Sequence, residues 1–131
     1  MKKILAILFI LCMMLNLFSC QANDVQLNEE KSYYSDFKIE NDKVYIYCTL
    51  FLENKSDTEK VISLKASFEK DFENGLLKEA LVSGYLLDES TQEIRLQKGE
   101  NQFDVVFIGE YAGADKKHDR LLPEIEITEI E

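Results

Sequence analysis

The stretch Val44-Tyr-Ile-Tyr-Cys-Thr-Leu-Phe-Leu52 leaves little freedom in how this chain folds. Its apolar residues recur at every second position. Val44, Ile46, Cys48, Leu50 and Leu52 share one face, while Tyr45, Tyr47, Thr49 and Phe51 share the other. Successive side chains of a strand point to opposite faces, so this pattern predicts a strand with one apolar and one aromatic-rich face. Such a strand belongs in the middle of a sandwich. Cys48, between Ile46 and Leu50, then reads as a small buried hydrophobe with a quiet thiol.

The period of two continues on both sides. Tyr33–Glu40 puts Phe37 and Ile39 on one face, and Glu40-Asn41-Asp42-Lys43 reads as a turn. Glu53–Asp57 forms a second turn cluster. In Val61–Phe68 the inward set is Ile62, Leu64, Ala66 and Phe68. Leu81–Leu87 is bounded by Asp88-Glu89-Ser90, and Glu93–Gln97 offers Ile94 and Leu96 before a turn at Lys98–Asn101. Phe103–Ile108 and Glu124–Ile130 bring the expected strands to seven, with at most one helical turn within Glu69–Leu77. Short strands with turns every eight to twelve residues predict an all-β fold: an immunoglobulin-like antiparallel β-sandwich over residues 33–131. The sole proline, Pro123, opens the last strand, where no ladder hydrogen bond is required of it. The acids that follow alternate with isoleucine and discourage edge-to-edge pairing.

Ahead of the expected domain the chemistry changes. Lys2 and Lys3 precede an uncharged apolar run, Ile4–Leu15, which predicts a helical secretory signal segment. Counted to Cys20 the run has 17 residues and includes Asn16, short of the roughly 20 that a spanning helix needs. A processed signal and an uncleaved anchor are the two readings. Leu17-Phe18-Ser19-Cys20 resembles the lipobox of bacterial lipoproteins, although Phe18 is bulky for its position. The resemblance implies a signal peptide over 1–19, a diacylglyceryl group on the Cys20 thiol, and a new amine open to acylation by a chain such as palmitate. Two or more acyl chains anchor durably, whereas one binds marginally. Residues 20–32, polar and without apolar period, read as a tether. The expected location is the cell membrane, lipid-anchored, on its extracytoplasmic side.

The layout is similar to that of small bacterial lipoproteins with an immunoglobulin-like domain. The shared features are Leu52-Glu-Asn-Lys-Ser56 at the end of a long apolar strand, the turn Leu96–Glu100, and the Phe-containing strand Phe103–Phe107. That resemblance implies a binding or assembly module and carries no catalytic signature.

Charge narrows the partners. Without residues 1–19 the chain keeps 13 basic and 25 acidic residues, a formal charge of −12. Nucleic acid is excluded as a partner of the domain as a whole, since such a surface repels phosphate. With Cys12 in the signal and Cys20 lipidated, Cys48 has no disulfide partner, and with His118 it makes too few ligands for a Cys/His metal site. Glu69, Asp71 and Glu73 precede Asn74-Gly75 but lack the ligand spacing of a calcium loop. No nucleophile-elbow or phosphate-loop pattern occurs, and no cofactor is expected. The chain reads as a non-catalytic binding or scaffolding lipoprotein. Two other classes stay open: a small envelope hydrolase, marked by a carboxylate pair converging in one pocket, and an exclusion or immunity lipoprotein.

One segment departs from the acidic background. Gly109–Pro123 is the longest expected loop and gathers Lys116, Lys117, His118 and Arg120 after Tyr111. Long loops on rigid scaffolds carry much binding chemistry. These five residues form the candidate binding loop, with an acidic patch on an envelope protein or an anionic wall polymer as its expected partner. The bland reading has the cations paired locally with Asp115, Asp119 and nearby glutamates, with Leu121 and Leu122 pinning the loop.

Overall fold

The computed structural model describes residues 24–115 and 120–130. Eight strands run through them: β1 (Val25–Leu27), β2 (Tyr33–Glu40), β3 (Lys43–Asn54), β4 (Lys60–Ser67), β5 (Leu81–Leu86), β6 (Ile94–Leu96), β7 (Gly99–Glu110) and β8 (Glu124–Ile130). A short helix, α1 (Glu69–Glu73), follows β4. All strand pairings are antiparallel.

β3 organises the first sheet. It pairs with β7 along its whole length, from Lys43 opposite Glu110 to Asn54 opposite Gly99. Its other edge is shared, with β2 beside Lys43–Thr49 and β1 beside Leu52–Asn54. A two-residue turn, Asn41-Asp42, joins β2 to β3. Both residues have positive φ, 52° and 61°, the conformation that matches strand twist in tight hairpins and that Asn and Asp tolerate. Val44, Ile46, Cys48, Leu50 and Leu52 are all buried, as their alternation predicts. At the strand's end the Asn54 side chain donates to the Thr58 and Leu96 carbonyls and accepts from the Ser56 amide and hydroxyl.

The second sheet is built on β4, with β8 on one side and β6 and the start of β5 on the other. β5 belongs to both sheets. Leu81–Ser83 pair with β4, and Gly84–Leu86 pair with β7. This crossing nearly closes the two sheets into a barrel. Gly84 sits at the crossing because Phe107 fills the space beside it: a Cβ there would lie 2.8 Å from the Phe107 ring. Phe107 is fully buried and meets Phe68 edge to face at 5.9 Å.

The fold is the expected all-β antiparallel sandwich. The spatial order β2–β3–β7–β5, with β4 beside β8, reproduces the A-B-E-D and C-F neighbours of an immunoglobulin constant sandwich. All seven expected strands are present among the described residues, joined by β1. Two expectations need correction. The stretch 20–32 is no plain tether from Val25 onward, because Val25–Leu27 pairs with β3 and Val25 enters the core. The long strands also run further than expected, since Glu53, Asn54 and Gly99–Asn101 are ladder residues, not turns. Polarity hid these ends, where the two strands continue together beyond the apolar stretch. The signal segment, the Leu17–Cys20 motif and Lys116, Lys117 and His118 lie outside the described residues.

Candidate interaction surfaces

The described members of the expected binding loop turn inward. Tyr111 is half-buried, forms a bridge with Leu77, and donates its amide to the Asp42 carbonyl at 2.9 Å. Arg120 crosses from the loop before β8 to α1. Its Nη2 lies 3.2 Å from Asp71 Oδ1, with side-chain exposures of 11% and 5% for the two residues. The guanidinium carbon also stands 4.0 Å from the centroid of the Phe37 ring. Tyr34 lies close by. Burial pushes its phenol pKa up, against the pull of the Arg120 charge. Leu122 packs against the core, whereas Leu121 is exposed. The geometry of Arg120 is that of an interior brace. A hollow of about 270 Å³ beside it is lined by Tyr34, Phe68, Asp71, Leu121 and Pro123.

A broader surface lies on the outer face of the first sheet. Ile46, Cys48, Val105 and Phe107 point into the core, so their strand neighbours point out. Register then sets rows across the sheet. Asp36, Tyr47, Val106 and Tyr85 stand side by side across β2, β3, β7 and β5. Lys38, Tyr45 and Ile108 form the next row, with the Lys38 ammonium 4.7 Å from the Tyr45 ring centroid. On the other side Tyr33, Thr49 and Asp104 align, and the Thr49 hydroxyl donates to Asp104 Oδ1 at 2.7 Å. Val106 and Tyr45 are buried yet stand outside the core cluster, because their neighbours on this face close over them.

Two hollows flank the Tyr47–Val106–Tyr85 row. One, of about 350 Å³, is lined by Ser35, Asp36, Tyr47, Thr49, Leu87 and Asp104. The other, of about 320 Å³, is lined by Lys43, Lys78, Ser83, Tyr85, Ile108 and Glu110, among others. Tyr33 and Leu87 are exposed at 51% and 55%, which makes this face apolar as well as accessible. The outer face of the second sheet differs. There Ser63, Lys65 and Ser67 of β4 oppose Thr128, Glu126 and Glu124 of β8. Val61 and Ile130 at one end, and the exposed Leu81 of β5 beside Ser67 at the other, depart from that polar pattern.

The carboxylates on the aromatic face have structural hydrogen bonds. Asp36 Oδ1 accepts from the Phe37 amide at 2.8 Å, and Asp104 Oδ1 accepts from Thr49. Among the described residues no cluster of three or more His, Cys, Asp or Glu side chains could hold a metal ion. No helix among them is long and apolar enough to cross a membrane.

No protein-family model matches the chain, and no curated protein or solved structure matches it significantly. The surfaces therefore rest on their own chemistry. Sequence reasoning saw the aromatic side of β3 but not the patch. Tyr47, Val106 and Tyr85 are adjacent only through register, and the signal that pointed toward them was the alternation of Tyr45, Tyr47 and Phe51.

Proposed function

We propose that the chain is a lipid-anchored extracytoplasmic lipoprotein whose sandwich domain works by binding rather than by catalysis, using the outer face of its first sheet. The observation that carries this reading is the asymmetry between the two outer faces. One presents Tyr33, Tyr47, Tyr85 and Leu87 around a buried Val106, and the other is mainly charged and hydroxylated. Tyrosine gives large contact area at low entropic cost, and aromatic residues are enriched at interface cores. Asp36, Glu40, Glu79, Asp104 and Glu110 outnumber Lys38, Lys43 and Lys78 around the patch, so the fitting partner is a protein surface with an apolar centre and a basic rim. The lipid on Cys20 would keep the domain at the membrane, beside that partner. An exclusion or immunity role fits the same arrangement.

The test combines anchor and face. Cys20→Ala should release the protein from membranes and abolish labelling by a fatty-acid analogue. Tyr47→Ser with Tyr85→Ser should lower recovery of a cross-linked envelope partner by about tenfold. A Ser63→Arg change on the opposite face should leave recovery unchanged. Equal recovery by all three proteins would remove the aromatic face from the reading. The hydrolase alternative draws on Asp36 and Asp104, which line one hollow. Unchanged partner recovery together with a hydrolytic activity lost in Asp104→Asn would favour it.

A further inference from the structure

Given the lipid proposed on Cys20, on which this rests, we propose that a very short tether seats one end of the sandwich on the bilayer surface. That end is formed by the β3–β4 loop and the β6–β7 turn, and it meets lipid headgroups. The tether is shorter than its polar sequence suggests. β1 takes up the chain from Val25 onward, so only Gln21, Ala22, Asn23 and Asp24 separate Cys20 from the first sheet. Four residues span at most about 14 Å in any conformation.

Asp24 fixes where that tether joins the domain. Its carbonyl accepts the Lys55 amide at 2.7 Å, its Oδ2 lies 3.3 Å from Lys60 Nζ, and the next residue, Val25, stands opposite Asn54. All three contacts lie at the end of β3 where Asn54 faces Gly99 of β7. The opposite end carries the Asn41-Asp42 turn and the Lys43–Glu110 pair. From Asn54 to Lys43 the strand rises about 36 Å. An inverted domain would hold Asp24 that far off the bilayer, more than twice what the tether reaches.

Charge opposes the poses in which the domain lies on a side. At the tether end Asp24, Asp57, Glu59 and Glu100 pair with Lys60, Lys98, Arg95 and Lys31 at 2.9–3.3 Å. The exposed Lys55 offsets Glu53, so these ten residues sum to zero. The acidic excess of the chain therefore lies on the rest of the domain. Lying on the first sheet would press Asp36 and Asp104 into the headgroups, and lying on the second would press Glu124 and Glu126 there. An anionic bilayer repels both faces. Seated upright, β3 runs along the membrane normal and Tyr47 stands about 23 Å above the tether end. The tyrosine face is then presented sideways, to a protein that rises about as far from the same bilayer.

The test uses the acylated mature protein in nanodiscs of phosphatidylethanolamine and phosphatidylglycerol, some of whose headgroups carry a gadolinium chelate. Amide NMR signals report which residues approach the headgroups. Lys55, Ser56, Asp57 and Lys98 should lose their signals, while Asn41, Asp42 and Ala112 keep the intensity they have without gadolinium. A Gly-Ser insert of about 20 residues between Ala22 and Asn23 adds about 25 Å of flexible reach and should shrink that contrast. Equal loss at both ends, loss centred on the tyrosine face or on β8, or a contrast that the insert leaves unchanged would overturn the proposal. In each of those cases the acyl group on Cys20, read by mass, would leave the anchor itself standing. A mature protein whose mass shows no acyl group would remove the anchor and the seating together.

Discussion

Arg120 and Asp71, 49 positions apart in sequence, meet in the interior between β2 and α1, with Nη2 and Oδ1 3.2 Å apart and the guanidinium resting on the Phe37 ring. Both side chains are nearly withdrawn from water, so this pair differs from surface pairs such as Lys98–Asp57. Removing one member of a buried pair weakens the hold on a charge that water no longer reaches. Arg120→Met should therefore lower stability by about 3 kcal/mol, seen as a fall in the urea midpoint. A variant meant to probe loop charge alone should change Lys116 and Lys117 and keep Arg120. An Arg120→Met midpoint equal to wild type would show that the brace contributes nothing.

Cys48 gives an alkaline signature. Burial in the β3 core face pushes its thiol pKa from 9.0 up to about 12. Between those values the unfolded chain has lost the thiol proton and the folded chain keeps it, so stability falls as pH rises through that window. Below pH 9 the contribution is fully present. Cys48→Ala should flatten the alkaline fall by the slope of one proton, measured by denaturant titration at several pH values. A disulfide-exchange reagent should leave the native thiol untouched and label the unfolded chain fully.

Gly84 tests the crossing of β5 between sheets. A methyl group there meets the Phe107 ring at 2.8 Å and Leu64 Cβ at 3.3 Å, and Phe107 has no solvent to move into. Gly84→Ala should cost about 1–3 kcal/mol through overpacking. Gly99→Ala differs in cause, since nothing lies within 4 Å and only its φ of +93° opposes a side chain. Combining Gly84→Ala with Phe107→Leu should recover part of the Gly84→Ala loss, and a larger deficit in the double variant would contradict steric conflict as the cause.

Asp88 gives the acid-side counterpart. Its carboxylate accepts from the Thr91 hydroxyl and from the Thr91 and Ser90 amides in the loop after β5. The Thr91 hydroxyl is the largest influence, and together these bonds lower the pKa from 3.8 to about 2. The stabilisation is present above 3.8 and disappears as pH falls through about 2. An NMR titration should place the Asp88 midpoint near 2, and Thr91→Val should raise it. An unchanged midpoint in that variant would reject the hydroxyl as the main cause.

The alternation of Val44–Leu52 and of Ile62–Phe68 determined, without any structure, which side chains enter the core, because strand geometry is local and the face of each residue follows from parity. The Asn41-Asp42 turn was legible for the same reason. Tertiary structure decided everything that depended on pairing across sequence. β1 has three residues and too little pattern to read, and it exists because β3 extends past β2 and offers an open edge. β5 changes sheets where Gly84 makes room for Phe107, a contact between residues 23 positions apart. Arg120 looked like part of a cationic loop, but Asp71 and Phe37 draw it inside, and sequence spacing contains no trace of that meeting. The Tyr47–Val106–Tyr85 row is likewise a product of register, which three strands must share before any of them has a surface. Local sequence sets which way each side chain points. Only the assembled sheets set which side chains become neighbours, because that choice rests on contacts no short stretch of chain contains.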